Sequence, residues 1–138
     1  MKRVLFVGQK PETVDFSDPA LPSGFDAAKI SHGIEAGMNQ MKEIGWDAHL
    51  CLVRPDDSAA VDLTRELEAT TYDCVVIGGG LRIPPKGLLI FESLVNVVHK
   101  SAPGAFIAFN TKPEDTAAGP LDQRRLATRL RSDSRSYS

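Results

Sequence analysis

The amino-acid sequence predicts an α/β protein, a three-layer αβα sandwich around a short parallel sheet of four strands in the order 2-1-3-4. Four short runs are apolar almost throughout, which indicates strands covered on both faces. Segments with helical spacing separate these runs, and such alternation is typical of a parallel sheet between helices. Right-handed crossovers with short connections favour the order 2-1-3-4, as in the doubly wound Rossmann-like and flavodoxin-like folds.

Length and composition predict one globular domain. A chain of 138 residues is long enough to bury its own core, and we expect a domain over residues 1–131 followed by a flexible tail at 132–138. A net charge of −2 gives no reason to expect nucleic acid as a partner. No run approaches the roughly 20 apolar residues that span a bilayer, and the first apolar run is too short for a signal peptide. We therefore expect a cytoplasmic protein with no membrane contact.

The predicted strands are the four apolar runs Val4–Val7, Leu50–Val53, Cys74–Ile77 and Ala105–Phe109. Cys51 and Cys74 fall in the second and third runs, which the first strand separates in the predicted order. Neighbouring strands lie about 4.8 Å apart, so the two cysteines are too distant for a disulfide. Because their spacing does not suit a metal either, we expect two core cysteines and no metal site.

The first helix is predicted over Phe25–Ile44, where apolar residues repeat at steps of three and four. Ser23 and Asp26 have the spacing of a capping box at its start, and Gly45 is well placed to end it. A second helix is predicted over Ala59–Ala69.

Two further helices are predicted in the second half of the chain. The third follows Pro84-Pro85, because proline fits the first turn of a helix, and ends near Lys100. The fourth starts near Pro120 and turns Leu126 and Leu130 inward.

The third helix carries more apolar residues than one stripe facing a sheet requires. They are Leu88, Leu89, Ile90, Phe91, Leu94, Val95, Val97 and Val98. The surplus implies another helix or a second protein chain packed against it. Homodimerisation through this helix, or beside the last strand, is a hypothesis that the sequence supports.

Ligands of open parallel sheets bind beyond the carboxyl ends of the strands, where the winding reverses. The connection over residues 8–23 reaches this edge and is long for a strand-to-helix turn, which is typical of functional loops. Lys10, Asp15 and Asp18 are its candidate ligand contacts. The alternative is a proline-stiffened cover in which the aspartates form turns.

A glycine-rich connection follows the third strand and offers a second set of candidates. Gly78, Gly79 and Gly80 would let backbone N–H groups approach an anion, and Arg82 and Lys86 would supply counter-charge. The connection matches neither the dinucleotide fingerprint nor the P-loop, so a purely conformational role for the glycines stays open.

The third connection, over residues 110–118, contributes Asn110 and Lys112 as candidate contacts to a carboxylate or phosphate. Thr111 and Glu114 have capping-box spacing, which gives this segment a purely structural alternative. His32 should face solvent or the ligand edge, because it lies 200° around the first helix from Ile34. No nucleophile with an obvious partner accompanies it, so no catalytic residue is assigned.

The stretch from Tyr72 to Gly87 resembles the central strand and following loop of response-regulator receiver domains. Lys112-Pro113 is similar to the late lysine-proline pair of that family. Gly78-Gly79 stands where the family has its phosphorylated aspartate, and no acidic pair follows the first strand. The resemblance implies a shared architecture and no more.

Two functions follow as expectations. The first is binding of a small anionic ligand, such as a nucleotide, a flavin or a phosphorylated or carboxylated metabolite, at the carboxyl edge. Neither the reaction, if there is one, nor any cofactor is specified by the sequence. The alternative is a non-catalytic signalling or scaffold module of receiver-like architecture that works through the exposed face of the third helix.

Overall fold

In the computed structural model, four parallel strands form one sheet in the order β2-β1-β3-β4, which confirms the predicted order. The strands are β1 (Arg3–Gln9), β2 (Asp47–Val53), β3 (Cys74–Ile77) and β4 (Phe106–Phe109). In the register, Val4 of β1 lies between Ala48 and Cys74. The structure describes residues 2–17, 24, 26–82 and 87–109, and for Arg82 it describes the backbone alone.

The helices are α1 (Ala27–Glu43), α2 (Ser58–Ala69), α3 (Gly79–Arg82) and α4 (Leu88–Ser101), and a single 3-10 turn covers Pro11–Thr13. The predicted second and third helices correspond to α2 and α4. Within the described ranges, no helix combines the length and apolar character needed to cross a bilayer. The predicted fourth helix and the predicted tail at 132–138 lie outside the described residues.

Two apolar cores lie on the two faces of the sheet because side chains alternate along each strand. On one face, Leu5 and Val7 of β1 pack with Leu63 of α2 and with Leu94 and Val98 of α4. The opposite face is covered by α1, whose residues Ile34 and Met41 pack against β1 and β3. The protein is therefore an α/β sandwich with a sheet buried between helical layers.

The capping box predicted for the first helix is wrong about where the helix starts. Asp26 is itself the N-cap, in extended backbone, and its side chain accepts a hydrogen bond of 2.8 Å from the Lys29 amide. Ser23 and Phe25 lie outside the described residues. At the other end, α1 stops at Glu43, and Gly45 takes the positive φ of +91° that a helix terminus favours.

The sequence suggested a simple loop for the glycine-rich connection. In the structure, the one-turn helix α3 lies between β3 and α4. The Leu81 amide donates to the carbonyl of Gly78 at 3.1 Å, which closes this turn. Leu81 is buried in the core that α2 and α4 cover. Burial of this side chain at the end of the sheet accounts for the turn in the chain.

The apolar surplus of α4 is distributed unevenly over the helix surface. Leu94 and Val98 are fully buried, and four neighbouring apolar side chains are partly buried against the same core. Leu88 and Leu89 remain 59% and 76% exposed at the start of the helix. The core shared by the sheet and α2 thus buries most of the surplus, as the expectation of another helix packed against α4 required, and leaves two leucines on the surface.

Cys51 and Cys74 lie on strands separated by β1. They also belong to different cores, since Cys51 packs against the α2 and α4 layer and Cys74 lies in the core under α1. The sheet itself therefore separates the two thiols, in addition to the distance between their strands.

Candidate functional site

The carboxyl ends of β1 and β3 meet at one edge of the sheet. The Gly78 amide donates a 2.8 Å hydrogen bond to the Val7 carbonyl, which extends the pairing of the two strands by one step. The segments that leave these strands, Gly8–Lys10 and Gly78–Leu81, therefore start side by side. This edge lies where the winding of the sheet reverses, since β2 and β3 flank β1 on opposite sides.

Lys10 is held at this edge by its backbone. Its amide donates to the carbonyl of Val53 at the end of β2 at 2.9 Å. Its carbonyl accepts from the Thr13 amide at 2.9 Å and from the Thr13 hydroxyl at 2.6 Å. Lys10 is half-buried, and none of the salt bridges between described residues includes it. The result is a cation on a fixed backbone beside the carboxyl edge.

Gln9 lies at the end of β1 beside α3, and it was not among the predicted contacts. Its Nε2 donates to the carbonyl and the hydroxyl of Thr13, both at 3.2 Å. A Cβ at Gly80 would lie 3.9 Å from the Gln9 Oε1, so the carboxamide lies beside the exposed glycine of α3. The signal was available in the sequence, because Gln9 is a polar residue directly after an apolar strand.

Gly78 has a packing role at this edge. A Cβ added there would lie 3.2 Å from the Val7 carbonyl oxygen and 3.3 Å from Cζ of Phe6. Its neighbours in α3 differ in exposure, since Gly79 is buried and Gly80 is exposed. The conformational alternative for the glycines therefore has a specific physical basis at Gly78, and the peptide of Gly80 is the one that reaches the surface.

Two other candidates lie near the surface. Asp15 accepts hydrogen bonds from the Ser17 amide at 3.0 Å and from the Ser17 hydroxyl at 2.5 Å, the arrangement of a side-chain turn. His32 is exposed in the second turn of α1, in agreement with its predicted direction. The turn accounts for the conformation around Asp15 without a ligand.

Several candidate contacts lie outside the described residues. They are Asp18, Lys86, Asn110, Lys112 and the side chain of Arg82. The structure therefore brings together Lys10, Gln9 and Gly78–Gly80, and the cationic part of the predicted site beyond Lys10 remains a prediction.

A polar cluster at the opposite, amino edge was not predicted. The Arg3 guanidinium donates from Nε to the Asp47 carboxylate at 3.0 Å and from Nη1 to the Thr71 carbonyl at 3.3 Å. The Arg3 amide donates to the Asp73 carboxylate at 2.8 Å. These bonds tie together the amino ends of β1, β2 and β3. Each residue stands beside or at a strand start, a signal that becomes informative only once the strand order is known.

His49 adds a further contact to this cluster. Its Nε2 lies 3.0 Å from the Asp47 carboxylate, although it has no well-aligned hydrogen-bond acceptor among the described residues. The contact is short but does not meet the geometry of a hydrogen bond. The His49 ring also meets the Tyr72 ring edge-on, with 5.6 Å between centroids. Contact with His49 and the hydrogen bond from Arg3 lower the pKa of the Asp47 carboxyl.

Two groups of this region are held in their protonated forms. Burial raises the pKa of the Cys51 thiol to about 11, and the carboxylates of Glu66 and Asp62 add to the shift. Burial, with the hydrogen bond from the Tyr72 hydroxyl to Glu66, likewise raises the pKa of Tyr72. A protonated thiol is a poor nucleophile, so Cys51 lacks the environment of a reactive cysteine.

The chain is, by its fold, a doubly wound α/β protein whose parallel sheet carries two glycine-containing exits at its carboxyl edge. Among the described residues, no three potential ligands from histidine, cysteine and carboxylate side chains gather into a metal site. Comparison of the chain with models of known protein families and with curated proteins finds no match.

Proposed function

We propose that the protein binds a small anionic ligand at the carboxyl edge of its sheet, between the exits of β1 and β3. The ligand class is a nucleotide, a flavin or a phosphorylated or carboxylated metabolite. The observation that carries the proposal is the parallel pairing of β1 with β3 at the reversal of winding.

Charge and polarity at this edge support an anion as the ligand. Lys10 has no ion pair among the described residues and stands on a backbone fixed by Val53 and Thr13. Gly80 exposes its peptide beside the Gln9 carboxamide. Arg82 and Lys86 follow directly in the sequence, and Asn110 and Lys112 follow β4. A charged donor and a peptide on a rigid scaffold suit a phosphate or carboxylate.

Equilibrium binding tests the proposal. Isothermal titration with a panel of nucleotides, flavins and phosphorylated or carboxylated metabolites should give at least one saturable ligand. Lys10→Ala, Arg82→Ala and Lys86→Ala should each weaken it about tenfold or more, because a hydrogen bond to a charged group contributes about 1.5–3 kcal/mol. Lys100→Ala is the matched control, since Lys100 lies at the end of α4 that points away from this edge. A panel without a saturable ligand, or equal loss in the control, contradicts the proposal.

A scaffold module that binds a partner through α4 is the second candidate, and the exposure of Leu88 and Leu89 favours it. Leu89→Glu separates the two functions. It should leave ligand affinity and thermal unfolding unchanged if the carboxyl edge is the functional site, and it should abolish association with a protein partner if α4 is. Lys86→Ala should have the opposite pattern.

We include a cytosolic location in the proposal. Two cysteines held on opposite faces of the sheet, where they cannot pair with each other, suit a reducing compartment. Cell fractionation of the tagged protein tests this, and recovery of the protein in a membrane or secreted fraction contradicts it.

A further inference from the structure

The outer edge of β2 presents unpaired peptide groups. The Asp47 amide donates to the carbonyl of Lys2, which precedes β1, and the Val53 carbonyl accepts from the amide of Lys10, which follows β1. The odd-numbered residues of β2 therefore direct their peptide groups toward β1. Peptide direction alternates along a strand, and Ala48, Leu50 and Leu52 therefore direct theirs outward. No strand within the described part of the chain pairs with this side of β2.

This edge lacks most of the features that keep exposed strands apart, and its one carboxylate, Asp47, is paired with Arg3. Natural edge strands are protected by charged side chains, especially lysine, by proline, by a bulge or by very short length. β2 is seven residues long, pairs with β1 in unbroken register, and contains neither lysine nor proline. Leu50, at its centre, is 41% exposed. A strand of this kind is suited to pairing with another strand.

An apolar groove continues from the same edge. The side chains of Ala48, Leu50 and Leu52 form one wall of an open groove of about 700 Å³, and Ile34 and Met38 of α1 contribute to the other. These three β2 residues are the ones whose peptides point outward. A strand added to β2 would therefore both complete their hydrogen bonds and bring its own side chains over the groove.

We infer that this edge is covered by β2 of a second copy of the chain, antiparallel and related by a twofold axis at Leu50. In this register Leu50 opposes Leu50, and Ala48 opposes Leu52 of the second copy. The three outward amides and three outward carbonyls of each β2 all form hydrogen bonds, because these positions become hydrogen-bonded pairs. The small Ala48 side chain faces the larger leucine, and no like charges oppose each other.

Charges on α1 fit the same symmetry. Glu35 and Lys42 border the groove seven residues apart, or about 10 Å along the helix. Both are exposed, and neither belongs to an ion pair between described residues. A twofold axis across the middle of the groove reverses the second helix and places Glu35 opposite Lys42 of the second copy. Self-complementary charge of this kind favours an identical chain as the partner.

The first test is a pair of substitutions at Leu50. Leu50→Pro removes the outward N–H at the axis and leaves the ladder with β1 intact, because proline is tolerated where an edge N–H faces outward. Leu50→Thr is the matched control that shortens the side chain and keeps the N–H. Light scattering should give twice the 15.0 kDa chain mass for the wild type, a weakened dimer for Leu50→Thr and a monomer for Leu50→Pro. Equal weakening by both variants contradicts backbone pairing.

Hydrogen exchange on the wild type keeps the inference testable if Leu50→Pro fails to fold. The amides of Ala48, Leu50 and Leu52 should gain protection as protein concentration rises, while those of His49 and Cys51 are protected throughout. A wild-type monomer at all concentrations overturns the inference. So does concentration-independent protection of the three outward amides, which would mean that another segment of the same chain covers the edge.

Charge exchange on α1 tests the twofold relationship. Glu35→Lys alone should raise the dimer dissociation constant about tenfold, because repulsion occurs twice in a symmetric dimer. The double variant Glu35→Lys/Lys42→Glu should restore the wild-type value. Glu92→Lys, on the exposed surface of α4 and across the sheet from α1, makes the same change in net charge and is the control. A double variant no tighter than Glu35→Lys contradicts the proposed orientation. These results do not depend on ligand binding at the carboxyl edge.

Discussion

The aromatic ring of Phe6 occupies space that side chains at two glycines on neighbouring segments would need. Its Cζ lies 3.3 Å from where a Cβ of Gly78 would be, and its Cε1 lies 2.8 Å from where a Cβ of Gly8 would be. Phe6 is buried in the core under α1. One ring thus brings together the exits of β1 and β3 that form the candidate site.

Gly8→Ala should destabilise the fold by about 1–3 kcal/mol, the usual cost of overpacking a core. A contact of 2.8 Å forces the buried Phe6 ring to move, and Leu52 Cδ2 at 3.2 Å limits the space on the other side. Urea unfolding measures the loss. Combination with Phe6→Leu should cost less than the sum of the two single changes. Gly104→Ala is the control, since nothing lies within 4 Å of its added Cβ, and an equal loss there would contradict this account.

Cys51 should react slowly with iodoacetamide at pH 8, because a thiol with a pKa of about 11 is only about 0.1% thiolate at that pH. The rate should rise about tenfold per pH unit up to pH 10. Glu66→Gln should increase the rate at pH 8, since it removes a negative charge that disfavours the thiolate. Mass spectrometry separates Cys51 from the fully buried Cys74. Rapid labelling of Cys51 in the folded protein at pH 8 would contradict the raised pKa.

Asp47 should stabilise the folded protein at neutral pH, and this stabilisation should disappear as the pH falls into the acid range. Its folded pKa is lowered, by the contact with His49 and the hydrogen bond from Arg3, so the unfolded chain takes up a proton first below about pH 4. Asp47→Asn should therefore reduce stability at neutral pH and flatten its decline toward pH 2. Urea unfolding across this range measures both effects. In an Arg3→Gln background the effect of Asp47→Asn should shrink, and an unchanged effect would assign the stabilisation elsewhere.

Asp26→Ala should destabilise the protein by about 1 kcal/mol, because it removes the side-chain acceptor for the Lys29 amide at the start of α1. Asp26→Asn should retain most of the stability, since an amide oxygen also caps helices well. Thermal unfolding with circular dichroism compares the two. An equal loss in Asp26→Asn and Asp26→Ala would show that charge, and not capping, carries the effect.

The number, direction and order of the strands were predictable because they depend on local apolar runs and on general rules of chain connection. The runs at Val4–Val7 and Cys74–Ile77 bury almost completely, as continuous apolar strands should. The run beginning at Leu50 was predicted too short, since β2 starts at Asp47. Asp47 and His49 alternate with Ala48 and Leu50 on a half-exposed edge, so the polar residues concealed the strand.

The candidate site was predictable in position and less so in its details. Placement of the glycine segment beside the exit of β1 followed from strand order alone. The helical turn α3 did not, because it depends on burial of Leu81 against residues distant in the sequence. The link between Gln9 and Thr13, and the reason for glycine at position 78, likewise depend on contacts across the fold.

A doubly wound parallel sheet between helices could be predicted from the sequence, because apolar period and connection length act locally. The identity of the polar residues that meet became clear from the folded chain. Arg3, Asp47 and Asp73 are joined at the amino edge, and Gly8 and Gly78 share the ring of Phe6. Such pairings depend on register and side-chain packing between segments dozens of residues apart, which no local pattern encodes.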